Sequence, residues 1–123
     1  MSALFGGVIE VLRQASAYAL RRHEVLAENV ANADTPGFRA HDLAFAHELD
    51  LARLVRSRPD PRSGPALDLR IVDAPDGPPR PDGNDVDLDK QMTRLGQNAL
   101  YHNVVVHLLA ARFNALKAAI QGR

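Results

Sequence analysis

The sequence contains no cysteine and no tryptophan, and aromatic residues make up only 5% of its 123 residues. Without cysteine no disulfide can form, and metal or redox chemistry based on thiolates is excluded. This absence fits a cytosolic protein, and it equally fits a chain that crosses a membrane unfolded, where a premature crosslink would be harmful. The few aromatic residues mean that a compact core would have few large side chains to anchor it.

The chain also lacks an excess of charge of either sign. Fifteen basic and fifteen acidic residues give a formal net charge of zero and a pI of about 7.0, so electrostatics does not favour a nucleic acid or an anionic lipid as the main partner. No run approaches the ~18 apolar residues of a membrane span. The first residues, MSALFGGVIEVLRQ, lack the pattern of a cleavable signal peptide. We predict one domain with no nucleic-acid partner and no direct membrane insertion.

Both ends of the chain carry apolar residues at alternating spacings of four and three, which is typical of a coiled-coil seam. We therefore predict a mainly α fold in which two long helices, one N-terminal and one C-terminal, pack as a coiled-coil-like hairpin. A second apolar face would need a neighbouring subunit to cover it. Two sets of residues off the main stripe could form it, Leu4, Val8, Val11 and Ala15 on the first helix or Leu100, Val104 and Leu108 on the second. The residues predicted to form the seam are Phe5, Ile9, Leu12, Leu26 and Val30 on the first helix and Leu95, Val106, Leu109, Phe113 and Leu116 on the second.

The limits of the second helix are also predicted by sequence. Asp85, Asp87 and Asp89 place negative charge near its start, where the helix dipole favours it, and Gly122 suits a position beyond its end. Gly6 and Gly7 weaken the start of the first helix, which we expect from about Val8 onward.

The middle of the chain has a different composition, because seven of the eight prolines lie between Pro59 and Pro81. This pattern predicts an irregular loop with an edge strand around Leu67, Leu69 and Ile71. Residues 42–56 suit a short amphipathic helix that carries Phe45, Leu49 and Leu54. The predicted organisation is therefore a helix and turn over 1–38, a short helix and variable proline-rich loop over 39–81, and a helix over 82–123.

The first helix ends in the polar stretch ENVANADTPGF, residues 28–38. Asparagine and aspartate side chains satisfy free backbone groups at helix ends, and the Pro36-Gly37 pair predicts a type II turn with glycine at positive φ. These residues therefore predict a sharp corner that presents Phe38 in a fixed direction. The candidate site comprises Asn29, Asn32, Thr35, Pro36, Gly37 and Phe38, which would shape the corner and contact an adjacent subunit.

Patterns of catalytic or metal-binding residues are weak throughout. The sequence HELDL at His47 begins like a zinc-protease motif but ends in leucine, and the serines lie in no nucleophile-elbow context. The spacing of the acidic run at Asp82, Asp85, Asp87 and Asp89 is not that of an EF-hand, so we interpret that run as helix capping. We predict that the protein is not an enzyme and binds no cofactor or metal.

Two stretches resemble a known family. The sequence NVANADTPGFRAHDLAF resembles the N-terminal motif of bacterial flagellar axial proteins, and its continuation is similar to the proximal rod subunits, the FlgB family. The segment from Pro81 to Arg123 resembles the C-terminal half of the same subunits, with Asp82-Gly83-Asn84, Val86 and Asn98-Ala99-Leu100 in place, although Gln91 stands where an acidic residue is expected. The resemblance covers about two thirds of the chain.

This resemblance implies a structural subunit that polymerises helically into the proximal rod of the flagellar basal body, part of the drive shaft required for motility. It implies contacts with copies of itself, with other rod proteins and with inner-membrane ring proteins. It also implies export into the periplasmic rod by the flagellar type III apparatus without a cleavable signal peptide.

Apolar heptads alone indicate only that one helix packs on another. An alternative is therefore a soluble helical adaptor or export chaperone that uses the same stripes to hold a partner helix. An adaptor would stay in the cytosol and bind in a small defined ratio, whereas a rod subunit would be exported and polymeric.

Overall fold

The computed structural model describes residues 2–45 and 69–122, and side chains within the first range from residue 6 to residue 44. Helix α1 spans Ser2–Ala31, strand β1 His41–Phe45, strand β2 Leu69–Asp73 and helix α2 Leu88–Gln121. The two strands form an antiparallel ribbon in which Leu43 is opposite Ile71. The predicted mainly α fold with two long packed helices is confirmed, with a short ribbon between them.

Strand β1 corrects the prediction of a helix over residues 42–56, because residues 42–45 belong to the ribbon. Leu43 is buried against the body of the chain, while Asp42 accepts two hydrogen bonds from Arg22 of α1, at 2.9 and 3.0 Å. The two-residue alternation of a strand separates these side chains. Leu49 and Leu54, from the rest of the predicted helix, lie outside the described residues.

The predicted edge strand is present, since Leu69 and Ile71 belong to β2; Leu67 lies outside the described residues. Helix α1 begins at Ser2, earlier than the glycine pair suggested.

The ends of α2 follow the capping chemistry of its sequence. Asp87 has extended backbone angles and its carboxylate accepts a hydrogen bond from the Lys90 N–H at 3.2 Å, so Asp87 is the N-cap. Gly122 adopts a φ of 67°, and its N–H turns back to the carbonyls of Ala118 and Ala119. A residue with a side chain would adopt this left-handed conformation less readily.

Helices α1 and α2 run antiparallel, and polar side chains mark their contact. The Asn98 side-chain amide donates to the Ala19 carbonyl at 2.8 Å, and a hydrogen bond of 3.3 Å joins Ser16 Oγ to His102 Nε2. On α1, Ala19 and Leu26 are almost fully buried.

The face of α2 that contacts α1 is offset by one residue from the predicted seam. Gln91, Asn98 and Val105 are the buried residues of α2. The four-three spacing that contains Leu95 and Val106 also includes Met92 and Ala99, so it has Met92, Ala99 and Val106 at these levels. Two polar side chains therefore occupy places where the periodicity predicted apolar ones. Among the predicted seam residues, Leu26 is buried, Ile9, Leu12, Val30, Leu95 and Leu109 are half-buried, Val106, Phe113 and Leu116 are exposed, and the side chain of Phe5 lies outside the described residues.

Helix α2 is long and apolar enough to cross a membrane by length and composition, with a mean hydropathy of 1.2 over its most apolar 18 residues. Its 34 residues span about 50 Å. Only 6% of that 18-residue stretch is buried. A single helix that meets these criteria is weak evidence by itself, so this property does not assign α2 to a membrane.

Replacing Leu26 tests whether buried and exposed leucines of the two long helices contribute differently to the stability of the isolated chain. Leu26 is fully buried and Leu100 is 67% exposed, and both are leucines on the two long helices. We expect Leu26→Ala to lower the free energy of unfolding by about 3 kcal/mol because it leaves a cavity. The matched variant Leu100→Ala should change that free energy by less than about 0.5 kcal/mol. Urea denaturation followed by circular dichroism measures both, and equal effects would contradict the described packing.

Candidate functional site

The candidate site begins where α1 stops, and Asn32 makes the first contacts beyond the helix. Its backbone N–H and its side-chain amide both donate to the Glu28 carbonyl, at 3.1 and 2.8 Å. Thr35 then closes on Asn32 through its N–H to the Asn32 carbonyl (3.0 Å) and its hydroxyl to Asn32 Oδ1 (3.1 Å). These bonds satisfy the carbonyls that a helix C-terminus leaves free.

The turn that follows is the predicted one. The Phe38 N–H donates to the Thr35 carbonyl at 3.2 Å, and Gly37 has a φ of 76°. A Cβ at Gly37 would meet no atom within 4 Å. Glycine is therefore required for its backbone conformation and not for space.

A second segment of the chain, just before α2, holds the corner through Asn84. Its side-chain amide donates to the carbonyls of Asn32 and Thr35, at 2.9 and 2.8 Å. Its side-chain oxygen accepts the Val86 N–H at 2.8 Å, and the residue is fully buried. One asparagine thus satisfies two carbonyls of the corner and one N–H of its own loop, which is the condition for burying an amide without large cost.

Neighbours of Asn84 extend this junction. The Gly37 N–H donates to the Asp82 carbonyl at 2.9 Å, and the Arg80 guanidinium hydrogen-bonds to the Ala33 carbonyl. Gly83 has a φ of 84°, and a Cβ there would lie 3.4 Å from the Gly37 Cα. The two loops are therefore in van der Waals contact, and both glycines are needed for their positive φ angles.

Asp85 has a role that differs from the predicted capping of α2. Its carboxylate accepts the Ala40 N–H at 2.6 Å and pairs with Arg39 at 3.3 Å, while its own N–H donates to the Phe38 carbonyl at 3.3 Å. Asp85 therefore fixes the direction in which the chain leaves the corner towards β1.

Asn29 joins three elements from within the last turn of α1. Its amide donates to the His41 carbonyl at 2.6 Å and to Gln91 Oε1 at 3.0 Å, and its side-chain oxygen accepts the His41 N–H at 3.1 Å. It is 1% exposed. Asn29 therefore holds β1 and α2 against α1 inside the chain.

The carboxylate of Asp76 completes this polar core. It accepts hydrogen bonds from the Asp87 N–H and the Gln91 amide, each at 2.8 Å, and from Arg94 at 2.6 Å. Burial of the side chain raises the pKa of this carboxyl, but the hydrogen bonds from Gln91, Asp87 and Arg94 outweigh burial and hold the pKa below its usual range. Asp76 is therefore ionised in the folded chain at neutral pH.

The structure separates the predicted site residues into two groups. Asn29 is buried and Asn32 and Phe38 are half-buried, whereas Thr35, Pro36 and Gly37 are exposed at the tip of the corner. Asn84 and Asp85 hold the corner, and Asp76 holds the start of α2. Sequence analysis selected none of the three as site residues. The Asp82-Gly83-Asn84 motif, on which the family resemblance of the sequence partly rests, was a signal for Asn84. The Pro75-Asp76-Gly77 sequence has the composition of an ordinary loop and gave no signal for Asp76.

Asp76→Asn should destabilise the chain in a pH-dependent way. A carboxyl with a lowered folded pKa contributes stability that is fully present above its unfolded pKa of about 3.9 and is lost as pH falls through the folded pKa. We expect the variant to be less stable than the wild type by about 3 kcal/mol at pH 7, because the Arg94 charge loses its buried partner. This difference should shrink as pH falls below about 4.

Denaturation of both chains between pH 7 and pH 3 measures this difference. Asp73→Asn is the control. The Asp73 side chain is 86% exposed and its pair with His41, at 3.4 Å, lies at the surface, where ion pairs contribute little to stability, so its curve should lie close to that of the wild type. A difference between the wild type and Asp76→Asn that stays constant over this pH range would contradict the assignment.

Comparison with known proteins places this geometry in a family. Residues 9–39, which include the end of α1 and the corner, match the family model described as "Flagella basal body rod protein". The flagellar basal body rod protein FlgB of Bacillus subtilis (strain 168) is 34% identical over 126 residues, which cover 98% of each chain.

Two further relatives are FlgB proteins of enteric bacteria. That of Salmonella typhimurium is 35% identical over 83% of this chain and 84% of its own length. That of Escherichia coli (strain K12) is 32% identical over 82% and 83%. Because these similarities include both helices and the corner, the chain belongs to the FlgB family of flagellar basal body rod proteins.

Proposed function

We propose that this chain polymerises helically with copies of itself and with other rod proteins to form the proximal part of the flagellar rod. The family is structural, so the chain is a structural protein of the flagellar basal body rod and not an enzyme. The role in motility follows from this membership. Proximal position and helical polymerisation are the parts that we propose.

The observation that carries this proposal is the exposed apolar surface of α2. Leu100 is 67%, Val104 51% and Leu108 49% exposed in the single chain. Contiguous apolar surface of this kind is typical of protein interaction sites. A subunit whose longest helix is covered by neighbours would have this distribution.

The corner is proposed as a second contact with an adjacent subunit. Thr35, Pro36 and Gly37 form its exposed tip, and the internal bonds of Asn84 hold that tip in one conformation. A rigid projecting loop loses little conformational entropy on binding, which favours its use as a contact.

The remaining partners are proposed from the family alone. They are the inner-membrane ring proteins at the base of the rod and the flagellar type III export apparatus, which would carry the chain to the periplasm without a cleaved signal peptide. The predicted absence of direct membrane insertion, of cofactors and of metals belongs to the same proposal.

A tagged chain tests the rod proposal against the adaptor alternative. A short epitope near Ser63, outside the described residues, leaves both helix termini unchanged. We expect the tag in detergent-extracted basal bodies of a motile strain. A tag confined to the cytosol of a motile strain would overturn the proposal in favour of a soluble adaptor or export chaperone.

The corner has its own prediction, in which Gly37→Val abolishes assembly. Valine is strongly disfavoured at the positive φ of Gly37, whereas asparagine tolerates that region. We expect Gly37→Val to prevent incorporation into basal bodies and to abolish motility, and Gly37→Asn to retain much of both. Unimpaired motility of the valine variant would contradict the role given to the turn.

A further inference from the structure

Several of the predicted seam residues lie along one side of the helix hairpin, where the two helices leave a groove between them. In an antiparallel pair, the side of α1 that carries Ser16 adjoins the side of α2 that carries His102, and these two residues meet at 3.3 Å. At about 100° per residue, Ile9 and Leu12 share the Ser16 side, while Met92 and Val106 share the His102 side. Ribbon contacts to α1, such as Arg22 to Asp42, lie on another side.

Apart from Ser16 and His102, the side chains along this groove are apolar, and its α2 wall is exposed within the described residues. Its α2 wall consists of Met92, Val106 and Phe113, which are 54%, 43% and 53% exposed, and its α1 wall includes the half-buried Ile9 and Leu12. The four-three spacing of these residues is the pattern that a helix partner requires. Because α1 already packs on the adjacent face of α2, a helix that binds in this groove would be a third helix, from outside the hairpin.

The same helix carries a ridge of complementary shape. Leu100, Val104 and Leu108 follow one another at i, i+4 and i+8, the row that packs into the groove of a neighbouring helix. Val104 and Val106 are two residues apart, so ridge and groove lie about 160° apart around α2. Val104 and Val106 also lie at one level of the helix, in a stretch without charge, because residues 95–111 include no aspartate, glutamate, lysine or arginine.

We propose that the α2 ridge of one copy, Leu100, Val104 and Leu108, docks into the groove between α1 and α2 of a second copy. This inference rests on the proposed self-assembly and specifies its faces and direction. Since the two surfaces lie on nearly opposite sides of the chain, the contact is heterologous. Each copy then offers a free ridge and a free groove, and addition continues as an open helix if the rotation does not close a ring.

A bilayer is a less suitable partner for the uncharged stretch of α2, residues 95–111. This stretch includes Asn98, His102, Asn103 and His107, and burying their side chains in lipid would be costly. The Asn98 amide also ties α2 to the Ala19 carbonyl of α1.

Cysteine crosslinking in assembled rods tests the docking. The chain has no cysteine, so introduced thiols are unique. We expect Val104→Cys with Val106→Cys in one chain, treated with a short bismaleimide in extracted basal bodies, to give a ladder of dimers and higher multimers. Each single variant should give no crosslinked dimer, because the ridge of one copy contacts the groove of the next copy and not another ridge. Val104→Cys with Arg21→Cys is the matched control without a ladder, since Arg21 is exposed and lies five residues from Ser16, about 140° around α1 from the groove side.

Several results would overturn the proposal. Dimers from either single variant would indicate a symmetric contact, and no ladder from rods that contain the double variant would indicate a different neighbour. Flotation of the wild-type chain with phosphatidylcholine vesicles, together with the absence of a ladder, would assign the ridge to a membrane. Leu108→Cys with Phe113→Cys repeats the test should the first pair lower incorporation. The epitope tag reports incorporation separately, so rods that contain the chain but show no ladder would refute the docking and leave the rod assignment in place.

Discussion

The double hydrogen bond from the Asn84 amide to the carbonyls of Asn32 and Thr35 is the constraint on which the rest of the corner depends. Those two carbonyls lie at the end of α1, and Asn84 precedes α2 by only a few residues. The bond therefore fixes the start of one long helix against the end of the other. Each carbonyl also accepts a backbone N–H, from Thr35 and from Phe38 respectively, so Asn84 adds a second donor to both. The group that depends on these bonds is the Asn84 amide itself, because a buried amide without acceptors would cost about 1–3 kcal/mol.

Sequence predicted the corner and the caps well because their chemistry is local. Pro36-Gly37 specifies a turn type, Asp87 a helix start and Gly122 a helix end, and each depends on residues within one turn of chain. β1 was mistaken for helix because residues 42–45 acquire strand geometry from pairing with β2, more than 20 residues away. Apolar periodicity over so short a segment does not distinguish the two.

The register of the helix contact was not predictable from apolar periodicity for a different reason. Periodicity assigns apolar residues to the inside, yet Gln91 and Asn98 face α1. Their burial depends on partners far along the chain: Gln91 bonds to Asn29 and Asp76, and Asn98 bonds to a backbone carbonyl. Apolar spacing contains no information about such distant partners. The seam predicted from the heptad pattern is therefore displaced by one residue on α2 from the face that contacts α1.

The distribution of polar and apolar residues on α2 has an energetic consequence for an assembling subunit. The hairpin contact is specified by directional hydrogen bonds, which tolerate few alternative registers, while much of the apolar surface of α2 stays outside. An isolated chain lacks the hydrophobic stabilisation, about 25 cal/mol for each Å² of apolar surface, that burying this surface would give. Association with a neighbouring subunit supplies that stabilisation, because a partner that binds only the folded state stabilises the folded state. Polar residues then set the shape of the monomer, and apolar residues supply the free energy of assembly.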